Sequence, residues 1–250
     1  MRQPEYEQNS QPAANVREQP PPVHELPGGV WRPARMFGGA TVVIIAGGPS
    51  LTEAQVARVH AARGRNWQVR AIAINNGYQI APWADVLYGA DHRWWNWHNM
   101  VPGFVGLKVA MKWNAESGAW WPGWEGNAHP EILGVAGTGY SGMDFSGNGL
   151  RRGGNSGHQA VNLAVLMGAR KILLLGFDYR TTGGQHWHGQ HPIATAADTG
   201  PWLRAARVAA PQLAAAGVEV INCTPGSALD AFPQISLDEA LDGIGKPQTD

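Results

Sequence analysis

The sequence predicts an α/β protein built on a single doubly wound, mostly parallel sheet, and three observations lead there. Residues 41–46 (Thr-Val-Val-Ile-Ile-Ala) and 171–175 (Lys-Ile-Leu-Leu-Leu) are almost uninterruptedly apolar, the pattern of strands buried on both faces. Residues 41–74 read strand, helix, strand at βαβ spacing, which implies a right-handed parallel crossover. Small and polar residues then collect directly after one apolar run after another, as expected where an open parallel sheet binds ligand beyond its carboxyl ends.

Residues 1–35 are rich in Pro, Gln, Asn and Glu, include Gln19-Pro20-Pro21-Pro22, and lack apolar periodicity. They are expected to form a disordered or partner-draped arm. The first strand (41–46) leads through Gly47-Gly48-Pro49-Ser50 into a helix capped by Ser50 or Thr52 and ending near Gly64. Residues 69–74 form the second strand, which stops at Asn75-Asn76-Gly77. Short strands are expected at 86–88 and 107–111. Residues 112–155 are Gly- and Trp-rich without periodicity and read as an irregular insertion or lid. Regularity returns with a helix that Ser156 could cap, the strand at 171–175, a helix at about 201–215, a strand at 218–222 and a short helix at 236–241.

Composition narrows the function. The 250 residues suit one large domain, and 44% hydrophobic content supports a substantial core. Nineteen basic and nineteen acidic residues cancel, so no global field recruits nucleic acid or an anionic membrane. Cys223 is the single cysteine, which excludes an intrachain disulfide and a cysteine zinc cage and suits a reducing compartment. A polar start and the lack of a membrane-length apolar run point to a soluble, cytoplasmic protein. Much of the tryptophan, 12 residues in all, falls between Trp83 and Trp124, which suits a pocket lining, a homo-oligomer contact or a protein-partner surface.

Gly47 and Gly48 let the chain turn sharply and approach a ligand, and free N–H groups at a following helix start would form an anion site. The stretch lacks both the Gly-x-Gly-x-x-Gly fingerprint and the P-loop Lys-Ser/Thr. Asn75 and Asn76 could hold a ligand or simply make a turn; Asp91 could bind a ribose hydroxyl or a cation, or cap a turn. Asp178 could orient a histidine, bind substrate or steady a loop. His186, His188 and His191, three histidines in six residues, suit a general base, a metal site or structural hydrogen bonding. Gly-x-Ser-x-Gly elbows, nucleophilic cysteine motifs and glycosidase carboxylate pairs are missing, and Cys223 reads as a small packed residue.

Ile44-Ile45-Ala46-Gly47-Gly48-Pro49-Ser50-Leu51 resembles the opening motif of the bacterial family-42 sialyltransferases and of the archaeal-type pterin pyrophosphokinase and motility-accessory-factor families. Asn155-Ser156-Gly157 through Gly176-Phe177-Asp178 resembles their second block, and the histidine loop and 222–229 resemble the last two. The chain departs from the sialyltransferases at Gly47-Gly48, where they carry an intervening Asn, and at Gly89-Ala90-Asp91. Its size and Pro-rich front also resemble phage-encoded members of the group.

The resemblance implies a Rossmann-like nucleotide-binding domain in residues 36–250. It implies Gly47, Gly48, Pro49 and Ser50 beside the nucleotide phosphates, Asn75 and Ser156 on the nucleotide, and a histidine of the 186–191 loop as base. Asn76, Asp91, Gly157 and Gly176 complete the candidate nucleotide set, with His188, His191 and Asp178 as candidate catalytic residues.

The expected activity is metal-independent transfer of a sugar from a CMP- or UDP-linked donor to a hydroxyl acceptor, without a tightly bound cofactor. One alternative is ATP–Mg²⁺ diphosphotransfer with Asp91 and Asp178 as metal ligands. Another is a non-catalytic nucleotide-binding or phage assembly protein.

Overall fold

The computed structural model describes residues 29–180, 186–189 and 198–244, together with the backbone of 25–26. It is α/β, with an open, mostly parallel sheet flanked by helices on both faces. The strands are β1 (Glu25–Leu26), β2 (Val30–Trp31), β3 (Thr41–Ile45), β4 (Val69–Ile74), β5 (Val86–Tyr88), β6 (Leu107–Asn114), β7 (Ala119–Trp120), β8 (Leu133–Gly137), β9 (Lys171–Leu175) and β10 (Glu219–Asn222). The helices are α1 (Glu53–Arg65), α2 (His92–Trp97), α3 (Ser156–Leu166), α4 (Gly200–Ala215) and α5 (Leu237–Asp242).

The main sheet runs β10-β9-β3-β4-β5-β6, with β8 parallel to β6 and β7 antiparallel to it. The chain winds outward from β3 through β4, β5 and β6, then crosses back to place β9 against the other side of β3. The topological switch point therefore lies between β3 and β9.

Burial on both faces explains the apolar runs. Along β3, Val42 and Ile44 enter one core layer with Leu163, Val161 and Leu213 of α3 and α4. Val43 and Ile45 enter the other, with Val56 and Val59 of α1 and Leu237 of α5. Alternation at a period of two produces this division, and each fully buried Ile or Val stabilises by about 1.5–3 kcal/mol.

The helices start where capping chemistry allows. Of the two cap candidates for α1, Thr52 serves: its Oγ1 accepts from Gln55 N, and Gln55 Oε1 accepts from Thr52 N, a full capping box. Helix α1 continues through Gly64 to Arg65, past the expected stop. The cap of α3 is Asn155, one residue before the expected Ser156, because its Oδ1 reaches His158 N at 2.9 Å. Helix α4 places Pro201 in its first turn, where the missing N–H leaves no intrahelical bond unmade.

Two further sequence expectations change. The 112–155 stretch is not irregular throughout: β6 runs on to Asn114, β7 pairs with its end, and β8 joins the sheet in parallel. The expected arm also ends earlier, since β1 and β2 pair antiparallel and Val30 and Trp31 are buried. Among the described residues, no helix is long and apolar enough to cross a membrane.

Candidate functional site

The switch point brings together the turn after β3 and the turn after β9. Gly48 N–H donates to Gly176 O at 2.9 Å, and Ser50 donates twice to Asp178: backbone N to Oδ1 at 3.2 Å and Oγ to Oδ2 at 2.9 Å. Leu51 N–H turns back to Gly48 O at 3.1 Å, and Pro49 has no N–H. The Gly48 and Ser50 donors expected beside the phosphates are thus engaged within the protein, as is the neighbouring Leu51 N–H, and the two turns are bound by one nearly buried carboxylate. Gly176 sits at φ 71°, with Ala46 O and Gly48 N each 3.2 Å from where a Cβ would lie, so the close approach of the turns requires glycine.

Asp178 is itself held by the loop after β10. Ala228 N–H donates to Asp178 O at 2.8 Å, while Thr224 Oγ1 accepts from Phe177 N at 3.0 Å. Of the roles open to Asp178, steadying a neighbouring loop is the one its contacts display. Cys223, beside Thr224, is buried, and burial pushes its thiol up to about 12, which fits a packed residue.

The histidine loop lies over the first turn. Trp187 N–H and His186 Nδ1 both approach Gly47 O at 3.2 Å. The His186 and His188 rings stack with centroids 4.9 Å apart and 5° between planes. Burial holds His186 below the usual imidazole range, with the Gly47 carbonyl pulling the other way. His188 Nδ1 lies 3.4 Å from Asn76 Nδ2, and Asn76 Oδ1 accepts from Trp94 Nε1 at 2.7 Å. His191 lies outside the described residues.

The remaining candidates separate. Asn76 is buried beside the histidines; Asn75, at φ 48°, directs its Oδ1 along the edge toward Gly89. Asp91 caps α2, accepting from Arg93 N at 2.9 Å, and forms a forked pair with the Arg93 guanidinium at 2.6–3.2 Å. It is exposed and committed to the capping role rather than turned to the histidines. Ser156 and Gly157 form the first turn of α3, which begins at the carboxyl edge, as a crossover helix must. Tyr179 OH donates to Asn155 Oδ1 at 3.0 Å and ties that turn to the end of β9.

Asn155, Trp94 and Tyr179 are site-forming residues that local sequence pattern did not single out. Asn155 alone carried a signal, as a cap-forming residue directly before a helix. Among the described residues, no three His, Cys, Asp or Glu side chains converge as a metal-binding group. Comparison with family models, with curated proteins and with solved structures finds no match.

Proposed function

We propose that the crevice between β3 and β9 binds a nucleotide-linked sugar and that the protein transfers the sugar to a hydroxyl acceptor. The observation that carries this reading is the stacked His186–His188 pair, anchored on Gly47 and Asn76 directly over the switch point. Ligands of doubly wound sheets bind at that point, and imidazole is the side chain suited to removing a proton near neutral pH. The acceptor oxygen would bond to the anomeric carbon as the bond from that carbon to the phosphate oxygen breaks. The hydroxyl proton passes to a histidine and the nucleotide departs.

Developing phosphate charge is best met at the first turn of α3. There Ser156 and Gly157 are the first two residues of the helix, whose N–H groups have no intrahelical acceptor, and Ser156 adds a hydroxyl. The Gly47–Ser50 turn suits this less, because Asp178 already supplies its anion. Diphosphotransfer from ATP–Mg²⁺ is disfavoured by the same contacts. Its two expected metal ligands are engaged elsewhere, Asp91 by Arg93 and Asp178 by Ser50.

Thermal shift against CMP, UDP, GDP and ATP, each with and without Mg²⁺, tests the proposal. Stabilisation by CMP or UDP without metal is the expected result. A response only to ATP with Mg²⁺ would favour diphosphotransfer, and no response to any nucleotide would overturn both enzymatic readings and favour an assembly role.

A further inference from the structure

Helix α3 is buried along most of its length, yet one side of it is polar. Asn155, His158, Gln159 and Asn162 recur at i, i+3, i+4 and i+7 and so form a single stripe, of which His158, Gln159 and Asn162 are buried. The stripe meets the main chain of residues 142–153. Asn162 Oδ1 accepts from Asp144 N and Arg151 N, each at 2.9 Å, and its Nδ2 donates to Asp144 O at 2.7 Å. His158 Nε2 lies 2.9 Å from Gly142 O, and Gln159 Nε2 donates to Arg152 O at 2.8 Å. Asn155 Nδ2 donates to Gly153 O at 3.4 Å.

A helix kept only for packing would avoid this arrangement, because apolar side chains bury area without desolvating amides. Residues 138–155 contain six glycines and lose an unusual amount of backbone freedom on ordering. Bonds to the main chain fix the path of such a segment, which side-chain packing alone does not.

Gln159 is oriented from both ends. The Arg152 carbonyl only accepts, so the atom facing it belongs to the NH₂ and the other is Oε1. Tyr88 OH therefore donates to Gln159 Oε1, at 2.9 Å. Tyr88 ends β5 and is fully buried, and burial pushes its phenol up, so it stays a donor. Arg152 is followed by Gly153 and Gly154, at φ 55° and 80°, which lead into the cap Asn155 and then Ser156 and Gly157. Gly153 N–H donates to Tyr140 O at 2.9 Å.

We propose that Gln159 is a positioning residue of the nucleotide site: braced by Tyr88, it fixes the Arg152 carbonyl and thereby the Gly153–Gly154 turn that sets the start of α3. The assignment rests on the transferase reading for its ligand, whose phosphates that reading places at Ser156 and Gly157. The hold on the turn follows from the contacts alone. Gln159 acts through the turn and takes no part in bond making.

Backbone amide hydrogen exchange of the full chain tests the hold without any ligand. Gln159→Met is similar in length and removes both bonds. The Gly153 N–H should then exchange at least about tenfold faster than in wild type, with a smaller change for the amides of β3. A Gly153 rate that is unchanged, or that rises no more than those of β3, would overturn the hold.

Calorimetric titration with CMP and with UDP tests the role. Gln159→Met should weaken binding of whichever of the two the wild type takes by about ten- to a hundredfold. Adding Tyr88→Phe removes the phenol that Gln159→Met leaves without an acceptor, so the double variant should regain stability without regaining affinity. Wild-type affinity in Gln159→Met, or affinity that returns together with stability in the double variant, would overturn the positioning role. If the wild type binds neither CMP nor UDP, the nucleotide reading falls and the role falls with it, while hydrogen exchange still decides the hold.

Discussion

The carboxylate of Asp178 holds the backbone N–H and the hydroxyl of Ser50 across 128 residues of chain, at 3.2 and 2.9 Å. The bond joins the two turns on either side of the switch point, the place where a doubly wound sheet is otherwise open. A glycine turn that would be an anion site on its own is here closed by an internal anion.

Removing that anion separates stability from binding. Asp178→Ala leaves two Ser50 donors without acceptors, a loss of about 1.5–3 kcal/mol for bonds to a charged group. For a domain of this size that lowers Tm by roughly 3–12 °C by calorimetry. Asp178→Asn keeps an acceptor and removes the charge, so it should lose less stability and show a larger nucleotide-induced thermal shift. An unchanged Tm in Asp178→Ala would mean that the Ser50 contacts contribute nothing.

Gly47 and Gly48 should differ sharply when substituted. A methyl at Gly48 would collide with the Asp178 carboxylate and the Gly176 carbonyl, and Asp178 Cγ would lie 2.8 Å away. These atoms are held by other bonds, so Gly48→Ala should cost about 3 kcal/mol or more in urea denaturation. At Gly47, among the described residues, the methyl meets only His186 Nδ1 at 3.3 Å and His188 Nε2 at 3.7 Å. Gly47→Ala should cost about 1 kcal/mol or less while displacing the histidine rings. Equal destabilisation by the two would contradict the geometry.

The central strands were legible because burial on both faces leaves a continuous apolar run, as in β3, β4 and β9. Strand β8 was not, since Leu133-Gly134-Val135-Ala136-Gly137 is diluted by glycine. The structure supplies the reason at Gly134: the aliphatic stem of Lys112 crosses there, 2.8 Å from where a Cβ would sit. Helix α2 spans only six residues and is held by the burial of Trp94 and Trp95, so no helical period could reveal it. At the candidate site, the polar residues after the strands do gather at the carboxyl edge of the sheet. What they could not show was commitment: Ser50 to Asp178, Asp91 to Arg93, and the cap of α3 to Asn155 instead of its equally plausible neighbour Ser156. Those choices depend on partners that sequence proximity alone does not rank.

Asn155 offers a test of where phosphate binds. Its Oδ1 accepts from His158 N at 2.9 Å and from Tyr179 OH at 3.0 Å, and burial pushes the Tyr179 phenol up so that it stays a donor. Asn155→Ala loses the cap and leaves the phenol unpaired, a cost of about 1–3 kcal/mol. Asn155→Asp keeps both bonds and adds a negative charge that suits a helix start, worth about 0.3–1 kcal/mol, but loses the Nδ2 bond to Gly153 O at 3.4 Å, so stability should stay within about 1 kcal/mol of wild type. The same charge would repel a bound phosphate, so Asn155→Asp should lose most of the nucleotide-induced thermal shift. A full shift in that variant would place the phosphates away from α3.

Lys112 gives the fold a pH signature. Its side chain is fully buried, and its ammonium donates to Asn127 Oδ1 at 3.1 Å and to the carbonyls of Ala128 and His129, each at 2.8 Å, with the Trp124 ring 4.7 Å away. Lys112→Met strands these acceptors and should cost at least about 2 kcal/mol. Burial lowers the ammonium from 10.5 to about 8, with Glu131 pulling it back up. Between those values the unfolded chain holds a proton that the folded chain has released, so this group makes stability rise with pH across that window. Denaturation of wild type and Lys112→Met on either side of pH 8 should therefore show the wild-type advantage growing toward 10.5, by more than about 1 kcal/mol. A constant difference would show that the three acceptors and the Trp124 face offset the burial and keep Lys112 charged throughout.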